Sequence, residues 1–168
     1  MKAIVYTSNT GFTARYAEIL SLQTGLPVWE LSDARKQLPK GTSVVYLGWL
    51  FASNVKGYAK AKRHFLIRAV CGVGLCDTGT LLQEVRKAIS LPEEIPLFTL
   101  QGGMDHSKLK GINKFMIAML LKMLRKNENP TDDDRRMLEL VQNGGDYVCA
   151  ENTEAFMHWY QERKAHED

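Results

Sequence analysis

The stretch Thr7-Ser8-Asn9-Thr10-Gly11-Phe12-Thr13 decides how this chain folds. It follows directly on Ala3-Ile4-Val5-Tyr6, a short apolar run of the kind that forms strands, and leads into a helical pattern over residues 11–24. A strand, a loop of small hydroxyl residues around one glycine, and a helix start together make a cradle for an anion. Backbone N–H groups in the first turn of a helix have no intrahelical partner, and the helix dipole adds positive potential there. Ser8, Thr10 and Thr13 add hydroxyl donors, and Gly11 lets the backbone approach closely. The loop holds no lysine and is not G-x-x-x-x-G-K-[ST], which argues against a nucleoside triphosphatase; a phosphate here is expected to be held by neutral donors.

Outward from this loop, apolar runs recur at residues 27–31, 43–47, 66–73 and 96–100, and helices are expected at 55–65, 80–90 and 153–164. Such alternation predicts an α/β fold with a parallel sheet covered on both faces, since runs such as Ser43-Val44-Val45-Tyr46-Leu47 are apolar on successive residues. Thr80 and Gln83 have capping-box spacing at the third helix. Residues 102–150 break the alternation. They read as an insertion before the last helix, with helices at 112–126 and 131–143, the second opened by Thr131 and Asp134, and a brief extended piece at 146–149. A length of 168 residues and no linker predict one domain over 1–168. The longest apolar run, Phe115 to Leu121, is too short to span a membrane, and the N-terminus lacks a signal-peptide pattern, so a cytoplasmic protein is expected.

From Ser8 to Thr13 the loop matches [ST]-x-T-G-x-T in full, immediately after the first strand, and so resembles the phosphate-binding loop of the flavodoxin family. The resemblance covers Met1 to about Leu100. It implies a flavodoxin-like three-layer sandwich with a five-stranded parallel sheet in the order 2-1-3-4-5, and one noncovalent FMN at the carboxyl ends of the strands, at the switch point between the first and third. The phosphate would rest on Ser8, Asn9, Thr10, Gly11, Phe12 and Thr13. The loops after the third and fourth strands would flank the isoalloxazine, which puts Trp49, Leu50, Phe51 and Ala52 at the cofactor, with Trp49 stacked on the ring. Gly72 and Gly74 would bring backbone to the ring edge, and Gln101, Gly102 and Gly103 would lie within reach after the fifth strand.

Residues 101–109 and the insertion look like those of a flavodoxin subgroup that includes the menaquinone-dependent protoporphyrinogen dehydrogenases. Two functional classes stay open: a carrier that docks with redox partner proteins, and an FMN-dependent oxidoreductase that acts on a small-molecule substrate and a quinone. A flavin-free interaction domain on the same fold is a third. With 22 Lys plus Arg against 19 Asp plus Glu, the charge is too slight to imply nucleic acid, yet it departs from the acidic character of many flavodoxin carriers. It would suit acidic partners or an anionic membrane surface. The charge is also unevenly spread, with five basic residues and no acid from Val55 to Arg68. Helix 112–126 carries apolar residues over more than half its circumference and Lys114, Lys122 and Arg125 in one arc. Core burial, a homodimer contact and a peripheral membrane or quinone contact all remain open for it. Asp105 and His106 read equally as an acid/base pair or a polar turn. His64, His106, His158 and His166 lack ligand spacing, so no metal is expected, and Cys71, Cys76 and Cys149 read as reduced thiols.

Overall fold

The computed structural model describes residues 1–109 and 111–165, with the side chains of Ile112 and Asn113 left aside; His166 lies outside the described residues. In chain order the elements are β1 (Ala3–Thr7), α1 (Phe12–Thr24), β2 (Val28–Glu30), α2 (Leu31–Gln37), β3 (Ser43–Phe51), β4 (Asn54–Val55), α3 (Tyr58–Ala61), β5 (Leu66–Gly74), α4 (Leu82–Ile89), β6 (Leu97–Gln101), β7 (Gly103–Met104), α5 (Gly111–Lys126), α6 (Asp132–Asn143), β8 (Gly145–Asp146) and α7 (Glu154–Ala165). Single 3-10 turns cover His106–Lys108 and Glu151–Thr153.

The central sheet is mostly parallel, in the order β2-β1-β3-β5-β6, and β4 pairs antiparallel with the end of β3. This corrects the expected five strands in the order 2-1-3-4-5. Six strands form because β3 runs four residues past Leu47, turns at Ala52 and Ser53, and returns. The strand count after β3 therefore shifts by one.

Pleating sends alternate residues to opposite faces, and both faces are covered. Ala3, Val5, Val44, Tyr46 and Val70 pack with residues of α2, α3 and α4, including Ala34, Tyr58 and Val85. Ile4, Val45, Leu47, Ala69 and Cys71 pack with Tyr16, Ala17 and Leu20 of α1 and Phe156 of α7. Helices thus lie on each side of the sheet, as the unbroken apolar runs require.

The insertion has a small core of its own. Met104, Leu140 and Val141 are buried there, and Ile117, Leu120 and Leu121 of α5 pack against them. Part of α5 turns outward, with Phe115, Met119 and Met123 67, 62 and 64% exposed, while Leu124 is buried. No helix among the described residues is long and apolar enough to cross a membrane.

Local expectations meet mixed outcomes. The Thr131–Asp134 capping box forms in full. The one at Thr80 does not, because α4 starts two residues later with Leu81 at its N-cap, and the Thr80 hydroxyl donates to the Asp77 carbonyl at 2.6 Å. Residues 55–65 form only the short α3, since Val55 is taken by the hairpin and Gly57 adopts φ 84°. The helix α2 was not anticipated. The extended piece expected at 146–149 is instead β8, at 145–146.

Candidate functional site

Strand register aligns four carboxyl ends. Thr7 lies beside Gly48, Gly48 beside Gly72, and Gly74 beside Gln101. Because β2 and β3 flank β1 on opposite sides, the chain reverses direction across the sheet at β1, and the crevice above this point is where open α/β sheets place ligands.

The loop after β1 opens on that crevice. The Ser8 hydroxyl accepts from the Gly11 N–H at 3.2 Å, which rounds the loop, and Gly11 takes φ 100°. That left-handed conformation is costly for any residue with a Cβ. No side chain caps α1, and its first turn has no acidic residue. The first intrahelical bond at this end runs from the Arg15 N–H to the Gly11 carbonyl, so the N–H groups of Phe12, Thr13 and Ala14 precede the helical ladder. Ser8 and Thr10 are half-buried, Asn9 is exposed and Thr13 is buried. A cation joins them from far along the chain. Lys108, in the 3-10 turn of the insertion, brings its Nζ to 3.9 Å from where a Cβ on Gly11 would stand, and it also pairs with Asp105 at 3.3 Å. A cation thus stands beside a loop whose own sequence offers only neutral donors. Nothing local announces Lys108, which is brought to the loop by tertiary folding.

Beneath the loop the Tyr46 hydroxyl lies 2.7 Å from the Lys56 carbonyl, to which it donates, and 2.8 Å from the Thr7 hydroxyl. Burial pushes its pKa far up, only partly offset by the Thr7 hydrogen bond, and the phenol stays neutral. Gly57 crosses this pair so closely that a Cβ there would lie 2.1 Å from the Tyr46 oxygen and 2.5 Å from the Thr7 hydroxyl.

The end of β3 divides its side chains. Trp49 and Phe51, on the face that Leu47 shares with α1, are half-buried with ring centroids 6.2 Å apart. The Lys56 Nζ stands 5.7 Å from the first ring and 5.0 Å from the second, a cation–π arrangement the sequence reading missed. Leu50 points the other way. It covers Gly72 and Gly74, where added Cβ atoms would come within 2.9 and 3.0 Å of its methyl groups. Those two glycines make room for Leu50 and do not present bare backbone on that face. The exposed Ala52 and its neighbour Ser53 close the hairpin at φ 47° and 59°, the positive values a tight two-residue turn demands.

Gly102 and Gly103 meet the loop through Phe12, while the Gln101 N–H donates to the Thr78 hydroxyl at 2.9 Å. A Cβ on Gly103 would lie 2.3 Å from the Gly145 carbonyl and 2.7 Å from the Phe12 ring, and one on Gly102 would lie 2.9 Å from Val73. The Arg15–Asp146 pair ties the insertion to α1, and at its two borders the Tyr16 hydroxyl donates to the Gln101 carbonyl at 2.5 Å while accepting from Asn152 at 2.7 Å. Burial raises the Asp146 pKa, but the Arg15 contact and the Val148 N–H outweigh it and keep the carboxyl below its usual range. Asp105 is also held low, chiefly by the Ser107 hydroxyl, which fits the turn reading over an acid/base role. Cys76, raised by burial and by Asp77 and Asp133, is a poor thiolate. Among the described residues no cluster of His, Cys, Asp and Glu is suited to a metal.

A scan against protein-family models and searches of curated proteins and of solved structures found no match to this chain.

Proposed function

We propose that the protein is a flavodoxin-like redox protein that binds one FMN at the carboxyl ends of β1, β3, β5 and β6. The observation that carries this is the uncapped amino end of α1, with Gly11 at φ 100° and the Lys108 ammonium beside it. That combination suits a dianionic monoester better than a neutral ligand. Setting the two-residue β4 aside, the remaining strands stand in the spatial order expected of the family, which supports the fold reading.

In this reading Ser8, Thr10, Thr13 and the first N–H groups of α1 hold the phosphate, and Lys108 neutralises part of its charge. Trp49 and Phe51 offer an apolar wall to the ring. FMN supplies the reversible electron transfer, while the chain orients it and limits its contact with water. Titration with FMN and with riboflavin tests the assignment: FMN should bind far more tightly, and equal affinities would sink it. Protein fluorescence should be quenched during the FMN titration. Since Trp29 and Trp159 also emit, the check on Trp49 is the Trp49→Phe protein, which should lose a large part of the quenching amplitude.

A second reading, a quinone-linked oxidoreductase, is favoured by the position of the insertion. Lys108 and the β7–β8 pair stand against the loop and Phe12, where a bare carrier needs only an exposed flavin edge. Replacing residues 103–145 with a short linker should then abolish porphyrinogen-dependent quinone reduction while FMN is retained, though bound more weakly without Lys108. Wild type that lacks this turnover yet exchanges electrons with ferredoxin-type proteins identifies a carrier.

A further inference from the structure

At the opposite end of the sheet, near the starts of β3 and β5, lies a cleft of about 420 Å³ lined by Arg35, Lys40, Lys60, Arg63 and His64. Its size is within the range of small-ligand sites. The lining holds four permanent cations and no carboxylate.

Arg15, Lys36, Arg86, Lys108, Arg135 and Arg136 each pair with an Asp or Glu. Among the described residues none of the five cleft residues has an ion pair. Backbone bonds hold them together. The Gly41 N–H donates to the His64 carbonyl at 2.7 Å, the Leu66 N–H to the Thr42 carbonyl at 3.0 Å, and the His64 Nε2 lies 3.3 Å from the Leu38 carbonyl. The turn carrying Lys40 and the turn carrying Arg63 and His64 are thereby fixed side by side, and Arg35 and Lys60 face them from α2 and α3. Gathering like charges without a counter-charge disfavours the free protein and favours an anion. Guanidinium forks match phosphate oxygens in pairs, and two arginines with two lysines balance more charge than one phosphate carries.

We propose that this cleft is an anion site for a ligand bearing two or more phosphate groups, separate from the loop after β1. The phosphates would come from a soluble ester or from anionic lipid headgroups. The test titrates the full chain with inorganic pyrophosphate at low ionic strength and floats it with phosphatidylglycerol vesicles, using phosphatidylcholine vesicles as reference. Saturable pyrophosphate binding that weakens by about tenfold or more in Arg35→Gln/Arg63→Gln supports the site with a soluble ligand. Flotation that the same substitutions abolish supports it with a lipid headgroup. Lys40→Gln/Lys60→Gln should act in the same direction, whereas Lys114→Gln/Lys122→Gln, equal in charge removed, should not. Absence of both kinds of binding overturns the proposal, as does binding that ignores Arg35 and Arg63.

Discussion

Thr10→Ala/Thr13→Ala is expected to weaken FMN binding by about a hundredfold or more. Each hydroxyl lost from a bound phosphate removes a hydrogen bond to a charged group, worth about 1.5 to 3 kcal/mol, and about 1.4 kcal/mol is a factor of ten in affinity. Two such losses in one small cradle set the lower limit. The effect should be specific: riboflavin, which lacks the phosphate, should bind both proteins with similar weak affinity. Lys108→Ala should weaken FMN but not riboflavin, because its Nζ stands at Gly11. Calorimetric titration of the two ligands into the three proteins measures all of this. An FMN affinity unmoved by the threonine pair would remove the loop from the proposed site.

Gly57→Ala should produce the largest loss of stability. At φ 84° any side chain is strained by about 1–2 kcal/mol, and the new Cβ would sit 2.1 Å from the Tyr46 oxygen. The phenol must then shift from the Lys56 carbonyl or from Thr7, leaving buried polar groups unpaired at about 1–3 kcal/mol. A total of about 2–5 kcal/mol corresponds to a fall in Tm of roughly 5–20 °C for a domain of this size. Gly25→Ala is the control. Gly25 also has positive φ, at 74°, but nothing lies within 4 Å of its added Cβ, so only the conformational cost of about 1–2 kcal/mol applies. Thermal unfolding of the two variants separates crowding from backbone strain; equal losses would mean that the Tyr46 contact contributes nothing.

The parts of the fold legible in the sequence were those set by local pattern. β3 and β5 announce themselves through successive apolar residues, and the turn from β1 into α1 through its hydroxyls and glycine. What stayed hidden depends on partners distant in the chain. The seven residues of α2 offer only Leu31 and Ala34 to the core, too little for a visible period. The apparent helix at 55–65 failed because Val55 pairs with Leu50 across a turn with no glycine to mark it. Thr80 had the spacing of a cap, but the helix begins beyond it, after Leu81. Within the candidate site, Ser8 to Thr13 could be read from spacing, whereas Lys108 and Lys56 acquire their places only through folding. Gly72 and Gly74 show the converse: glycines that suggest room for a ligand are bare to accommodate Leu50.

The β7–β8 pair has a bearing on ancestry. Gly103 lies beside Asp146 and Met104 beside Gly145, so the chain leaves the βα scaffold and rejoins it at neighbouring points. Paired backbones at this spacing are about 5 Å apart, a gap that a tight turn of two residues spans. Some forty residues are thereby enclosed as a cassette whose apolar nucleus, among the described residues, only Leu75 joins from outside, and none of them enters the central sheet. A lineage could gain, lose or exchange such a cassette in a single genetic step without first passing through a sequence that no longer folds.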